Sequence, residues 1–159
     1  MNIHIFCVGK LKEPFYLQAA AEYAKRLGAF CTLKITELPE QRLPADPSPA
    51  QIEAALEREG EALLSKLPPR TGLIALCVEG EKYSSPQAAG LLEQWERRGE
   101  AGLAFAIGGS FGLHERVKQA AWVRLSMSDM TFPHHLARVM LLEQIYRAFQ
   151  IRRGSPYHK

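Results

Sequence analysis

The sequence predicts a single α/β domain, a mostly parallel sheet with helices on both faces, and three observations carry that prediction. The chain has 159 residues and is 47% hydrophobic, enough for one sizeable core and too little for a second full domain. Thr71 to Val78 and Gly102 to Ile107 are nearly uninterrupted apolar runs of strand length. Such runs mark strands covered on both faces. Strand-like and helix-like segments also alternate along the chain, which favours parallel pairing through crossover helices.

The elements follow in order. Asn2 to Val8 alternates apolar and polar residues before Phe6-Cys7-Val8 and predicts the first strand. Pro14 suits a first helical position, where a backbone N–H would go unused. Phe15, Leu17, Ala20, Ala21, Ala24 and Leu27 mark the expected buried side of that helix, and Gly28 ends it. Cys31 to Leu38 predicts the second strand. Pro39, Pro44, Pro47 and Pro49 crowd the next stretch, which the loss of backbone donors makes a loop. Ser48 and Gln51 have capping-box spacing, with Pro49 at the first helical position, so a helix should run to about Leu67 before Pro68-Pro69.

Thr71 to Val78 predicts the central strand. Ser85-Pro86 should open a third helix that runs through Arg98 and closes at Gly99, and Gly102 to Ile107 supplies the fourth strand. Gly108 to Gly112 reads as a turn, Leu113 to Ala121 as a short helix, Val123 to Ser126 as the fifth strand, and Pro133 to Arg152 as a long closing helix. On that helix Leu136, Val139, Met140, Ile145, Tyr146 and Phe149 form a broad stripe, with Leu141, Leu142 and Ile151 beyond it. A face so wide predicts burial on more than one side, in the core or against a second subunit.

Composition excludes several classes. No apolar run reaches the roughly 20 residues that cross a bilayer, and MNIHIFCVGK lacks the basic-then-apolar layout of a signal peptide, so a soluble cytoplasmic protein is expected. Cys7, Cys31 and Cys77 are odd in number and widely spaced, which predicts buried free thiols and neither a disulfide framework nor a zinc site. Charge is unevenly placed. Residues 1–132 carry 15 Lys+Arg against 16 Asp+Glu, whereas residues 133–159 carry Arg138, Arg147, Arg152, Arg153 and Lys159 against Glu143 alone. The positive excess sits in the last segment, where it would serve either a phosphate backbone or a solvated helix face.

Ligands of open parallel sheets bind beyond the carboxyl ends of the strands, which directs attention to the loops after Val78, Ile107 and Ser126. Gly108-Gly109-Ser110-Phe111-Gly112 lets backbone approach a ligand closely and offers it unblocked N–H groups, although glycine pairs also make plain tight turns. Its spacing is not G-x-G-x-x-G, and the following strand ends in Ser126 where a dinucleotide site needs an acidic residue, which argues against a nicotinamide oxidoreductase. Phosphate-loop, nucleophile-elbow and zinc-helix motifs are absent. Met127-Ser128-Asp129-Met130-Thr131-Phe132 mixes soft apolar side chains with small hydroxyls, suited to walling a planar base or simply to filling the core. His134-His135 has no further ligand cluster in sequence and predicts no metal. The end of the chain, Arg152-Arg153-Gly154-Ser155-Pro156-Tyr157-His158-Lys159, joins cations to an aromatic ring as RNA recognition does, though most such ends are merely solvated.

Taken together, AFAIGGSFGLH, LSMSDMTFPHHLARVMLLEQIYRAFQIRRG and SPYHK resemble the ribosomal RNA large-subunit methyltransferase H family, pseudouridine-N3 methyltransferases of the SPOUT superfamily. The likeness runs over essentially the whole chain and is strongest from Ala104 to Lys159. It implies one SPOUT domain over residues 1–159, with a C-terminal trefoil knot that binds the cofactor at about 72–152 and a basic tail at 153–159. It also implies a homodimer holding S-adenosylmethionine, with cofactor contacts at Leu76, Gly108 and Met127 through Phe132, that is Met127, Ser128, Asp129, Met130, Thr131 and Phe132. The implied reaction is methylation of N3 of a pseudouridine in 23S ribosomal RNA within assembled ribosomes. His134, Arg147, Tyr157 and His158 are then expected around the target base, His134 or His158 as proton acceptor since imidazole titrates near neutrality. Arg152, Arg153 and Lys159 are expected on phosphates. Asp129 places a carboxylate in the expected cofactor loop where members of the family often carry a neutral or basic residue, either facing solvent or favouring the cationic sulfonium. Ser110-Phe111 stands where other members often carry a more polar pair. A non-catalytic ribosome-binding factor is the rival that would explain the basic tail without a cofactor.

Overall fold

A computed structural model describes all residues from Met1 to Lys159. Ten elements alternate strictly: β1 (Asn2–Val8), α1 (Pro14–Leu27), β2 (Thr32–Leu38), α2 (Pro49–Ser65), β3 (Thr71–Lys82), α3 (Ser85–Arg97), β4 (Gly102–Ile107), α4 (Glu115–Ala120), β5 (Val123–Ser126) and α5 (His134–Arg152). The five strands form one sheet in the order β2-β1-β4-β3-β5, and every neighbouring pair is parallel.

The strand period divides the core in two. Ile3, Ile5 and Cys7 of β1 and Leu103, Phe105 and Ile107 of β4 face the larger half, with residues of α1, α3 and α5. Phe6, Ala104 and Ala106 face the smaller half, where Leu63 of α2 and Val117 of α4 cover them. Helices therefore lie on both faces, as the apolar runs of β3 and β4 require. Trp95 closes one edge of the larger half: its indole N–H donates to the Gly102 carbonyl at 2.6 Å, and its ring leaves no room for a Cβ at Gly72.

Four expectations need correction. Phe15 and Leu17 are 62% and 46% exposed, and Ala21 is exposed as well. The inward stripe of α1 is instead Tyr16, Ala20, Tyr23 and Leu27, the two tyrosines partly buried against the core, as suits a side chain with an apolar ring and a polar tip. β3 does not stop at Val78. After a register shift between Leu76 and Glu81 it pairs again with β5, and Gly80 lies so close to the Arg124 carbonyl that a Cβ would sit 2.7 Å from it. Glu79, Glu81 and Lys82 gave that extension the look of a loop, whereas a bulge with a glycine carries it. Ser84, not Ser85, caps α3 by accepting from the Gln87 N–H, while Ser85 donates to Gln144 on α5. Cys31 and Cys77 are half-buried, so only Cys7 is a fully buried thiol. Burial pushes Cys7 up to about 12 and Cys31 up to about 11, and both stay protonated at neutral pH.

The buried line of α5 is Arg138, Leu141, Leu142, Ile145, Ala148 and Phe149. Val139, Met140 and Tyr146, placed on the expected stripe, are half-buried at its flanks. Arg138 is the unexpected member. At 3% exposure it donates to the Gly9 carbonyl and to Glu37 Oε2, each at 3.0 Å, and so ties the start of α5 to the carboxyl ends of β1 and β2. Burial works to raise the Glu37 carboxyl, but bonds from Arg138 and from the Leu11 N–H outweigh it and hold it below the usual carboxylate range. Arg138→Met should therefore destabilise the fold by about 1–2 kcal/mol, since its bonds to Glu37 and the Gly9 carbonyl are lost while the Glu37 side chain, 35% exposed, can still be solvated. Chemical denaturation reads this directly, and an unchanged midpoint would show that the pair contributes nothing.

Candidate active site

The carboxyl ends of β3, β4 and β5 open into a cleft of about 700 Å3. Its wall begins with Leu76 and continues through Cys77, Val78 and Glu79, so the polar end of β3 borders it too. Gly108 through Leu113 form the second wall. Within this turn the Gly112 N–H donates to the Gly109 carbonyl at 3.1 Å, and Gly112 holds a φ of +81°, which glycine adopts without strain. Gly108 is needed for another reason. A Cβ there would lie 2.3 Å from the Gly112 carbonyl carbon and oxygen, so the turn can be this tight only without a side chain.

The third wall is the segment between β5 and α5. Ser126 Oγ donates to the Ser128 carbonyl at 3.0 Å, and the Met130 N–H donates to Ser128 Oγ at the same distance, folding the segment back over the cleft. Met127 packs against the larger core while also lining the cleft; Met130 is 72% exposed at the rim. Ser128, Thr131 and Phe132 line the cleft as well. Asp129 does not. Its carboxylate pairs with Lys82 Nζ at 2.6 Å and is 81% exposed, so of the two roles its sequence position allowed, the solvent-facing one is what the structure has.

His134, at the first turn of α5, lines the same cleft. Its Nε2 lies beside Gly9, and neither histidine caps the helix, since Pro133 stands at the N-cap. Burial, then the neighbouring His135, lowers the His134 imidazole below its ordinary value of 6.5, against a weaker opposing pull from Glu40. Neutral at pH 7, it can accept a proton. An unfolded chain binds that proton more readily than the folded one, so this group's stabilisation is full above about pH 6.5 and declines as pH falls below it. His134→Gln should thus lose less thermal stability than the parent protein between about pH 7.5 and 5.5; an identical loss in both would mean that His134 is not the depressed group.

Arg147, Tyr157 and His158 gather elsewhere. Arg147 donates through Nε and Nη2 to Glu143 Oε1 at 3.0 and 2.6 Å, lies 4.7 Å from the Tyr157 ring centre, and approaches His158 Nδ1 at 3.4 Å. Tyr157 donates its hydroxyl to the same Glu143 oxygen at 3.1 Å. Burial and that bond raise the phenol, so Tyr157 is a donor at neutral pH and not a base. The four expected catalytic side chains therefore do not meet within one chain: His134 and Arg147 are separated by a rise of roughly 20 Å along α5. Among the cations expected on phosphates, Arg152 is already engaged by Glu96 and by the Phe149 ring. Arg153 stacks over Phe30 at 4.3 Å and remains exposed, as does Lys159.

Sequence reading missed two organising residues. Arg138 was visible only as one more cation in a basic segment. Glu143 was visible only as the lone acid there, although its i,i+4 spacing to Arg147 was a usable signal. No helix is long and apolar enough to cross a membrane, and no three His, Cys, Asp or Glu groups converge as metal ligands.

Comparison with known proteins accords with this geometry. The family described as "Predicted SPOUT methyltransferase" matches residues 1–158. A protein of Pelotomaculum thermopropionicum named "Ribosomal RNA large subunit methyltransferase H" is 47% identical over 157 residues, covering 99% of this chain and 98% of that one. With a glycine-walled cleft at the carboxyl ends of a parallel sheet and a match that spans nearly the whole chain, the protein belongs to the SPOUT methyltransferase family.

Proposed function

We propose that this protein methylates N3 of a pseudouridine in 23S ribosomal RNA, with S-adenosylmethionine as methyl donor and the assembled ribosome as substrate, in the cytoplasm. The observation that carries this is the cleft. Leu76, Gly108, Met127, Ser128, Met130, Thr131 and Phe132 line it together, and its volume of about 700 Å3 suits a nucleoside with an amino-acid arm. Gly108 lets the turn that forms this wall close on Gly112 more tightly than any Cβ would permit, and Met127 with Phe132 offers an apolar wall for an adenine ring. The residues present fit the cofactor. When bound, it supplies an electrophilic methyl on a sulfonium, and methyl transfer releases a neutral thioether.

The chain's own residues have the remaining work. An imide nitrogen must lose its proton before it attacks, and His134, neutral and on the cleft wall, is placed to take that proton. The walls align nucleophile and methyl, which is the larger share of the rate. Arg147, Tyr157 and His158 are assigned to the target base, and Arg153 and Lys159 to phosphates. Arg152 joins them only on leaving Glu96.

The separation along α5 supports a homodimer with antiparallel α5 helices, in which residues 153–159 of one protomer complete the cleft of the other. Phe15 and Leu17 support it too. They are exposed apolar side chains on the α1 turn beside His135, where Tyr16 and His135 rings lie 6.1 Å apart. A trefoil knot over about 72–152 fits the crossing from β4, which lies inside the sheet, past β3 to the edge strand β5.

Transfer of labelled methyl from S-adenosylmethionine to ribosomes lacking the modification tests the reading, with mapping of the labelled nucleotide. Label on one pseudouridine of assembled ribosomes and not on free ribosomal RNA is expected. Cofactor binding without any transfer would redirect the search to another RNA, and no rise in melting temperature with saturating cofactor would favour a non-catalytic ribosome-binding factor.

A further inference from the structure

The cleft holds one feature that the family match does not assign. Among the side chains lining it, Glu79 is the only carboxylate and Lys118 the only ammonium or guanidinium. They come from different elements, Glu79 from the bulged end of β3 and Lys118 from α4, and they form an ion pair. Lys118 is largely sheltered, at 17% exposure, whereas Glu79 is half open at 55%. The bond from Lys118 holds the Glu79 carboxyl below its ordinary value, so Glu79 is a carboxylate at neutral pH.

We infer that Glu79 and Lys118 form a clamp for the amino-acid end of the cofactor, Lys118 taking its α-carboxylate and Glu79 its α-ammonium. This rests on the reading of the cleft as a site for S-adenosylmethionine. The chemistry is complementary. An α-amino acid carries opposite charges on one carbon, and the cleft offers one partner for each, already side by side. A pair of this kind keeps the empty cleft neutral and exchanges one ion pair for two when the ligand enters, so no lone charge is stranded in either state. Arg124, which also acts on the Glu79 carboxylate, is occupied: its Nε donates to the Lys118 carbonyl at 3.1 Å and its Nη2 to Glu115 at 3.1 Å. The residues proposed for adenosine, Gly108 and the segment from Met127 to Phe132, line the same cleft but carry no free charge into it. The nucleoside and the zwitterion thus have different residues to meet. A tie that only joins β3 to α4 is the plainer role for the same two side chains, and exposed pairs of that kind contribute little.

Calorimetric binding separates the two roles, because the zwitterion can be removed from the ligand as well as from the protein. The ligands are S-adenosylmethionine, S-adenosylhomocysteine and 5′-methylthioadenosine, which lacks the whole amino-acid end. The parent protein should bind 5′-methylthioadenosine roughly tenfold or more weakly than S-adenosylhomocysteine, both being uncharged at sulfur. Lys118→Met and Glu79→Gln should each weaken S-adenosylmethionine and S-adenosylhomocysteine by roughly tenfold and leave 5′-methylthioadenosine unchanged, which also shows that the cleft is still folded. Equal losses for all three ligands would make the pair a structural tie and overturn the clamp, as would variants that bind all three like the parent. Binding of none of them to the parent protein would overturn the cofactor reading itself, a result distinguishable from either.

Discussion

Gly108→Ala should weaken S-adenosylmethionine binding by roughly 10- to 100-fold, and methyl transfer at subsaturating cofactor should fall with it. The added Cβ would meet the Gly112 carbonyl carbon and oxygen at 2.3 Å, and neither is the movable end of a flexible side chain. The turn must open, at a cost of about 1–3 kcal/mol for overpacking, and that opening moves the wall against which the cofactor is proposed to rest. Gly109→Ala is the informative control. Its Cβ would meet Glu40 Oε1 at 2.8 Å, and that carboxylate can swing aside. It would give up weak bonds from Ser110 N–H at 3.4 Å and Ser110 Oγ at 3.3 Å. The second variant should keep cofactor affinity within a fewfold of the parent. Isothermal titration of both gives the answer; a Gly108→Ala protein that binds normally would mean that the ligand does not touch this turn.

The contrast between these two glycines shows what was legible in the sequence and what was not. Three glycines within Gly108 to Gly112 marked a place where backbone does chemical work, and strand-end logic put it at the mouth of the sheet. Which glycine tolerates a side chain depends on how the turn closes on itself and on Glu40, 68 residues earlier in the chain. The same divide runs through the fold. Apolar runs exposed β3 and β4 at once, because burial on both faces leaves no polar positions. The second half of β3 was hidden, since Glu81 and Lys82 pair with β5 only after an irregular stretch that contains Gly80. Arg138 was hidden for a related reason: its partners, Gly9 and Glu37, are brought together by parallel pairing of β1 with β2, which no local pattern records. In the site, the loops that line the cleft were legible as strand-end segments, and the resemblance suggested which of their residues to propose for the cofactor. The division of His134 from Arg147, Tyr157 and His158 was not, although a helix of known rise joins them.

That division leads to the second large effect. If the cleft of one protomer is completed by the tail of the other, two inactive variants should rescue each other. His134→Ala alone should lower methyl transfer by about 100-fold or more, the loss expected for a general base. Tyr157→Ala with His158→Ala should lower it comparably, because the cluster on Glu143 that orders the tail loses its aromatic donor as well. Consider a dimer with one chain of each kind. One cleft then carries both defects, and the other combines an intact His134 with an intact tail. Unfolding and refolding the two variants together at equal concentration makes half of the dimers mixed, each with one sound site of two, so activity should recover to about a quarter of the parent level. A site contained within a single chain allows no such recovery. Cofactor affinity supplies the check on folding, since neither variant alters Gly108 or the segment from Met127 to Phe132, and both should bind S-adenosylmethionine nearly as the parent does. Rescue with intact binding would place the two halves of the site on different chains; absence of rescue between variants that bind cofactor and exchange subunits would require α5 and the tail to act on their own cleft, which a rise of roughly 20 Å between His134 and Arg147 opposes.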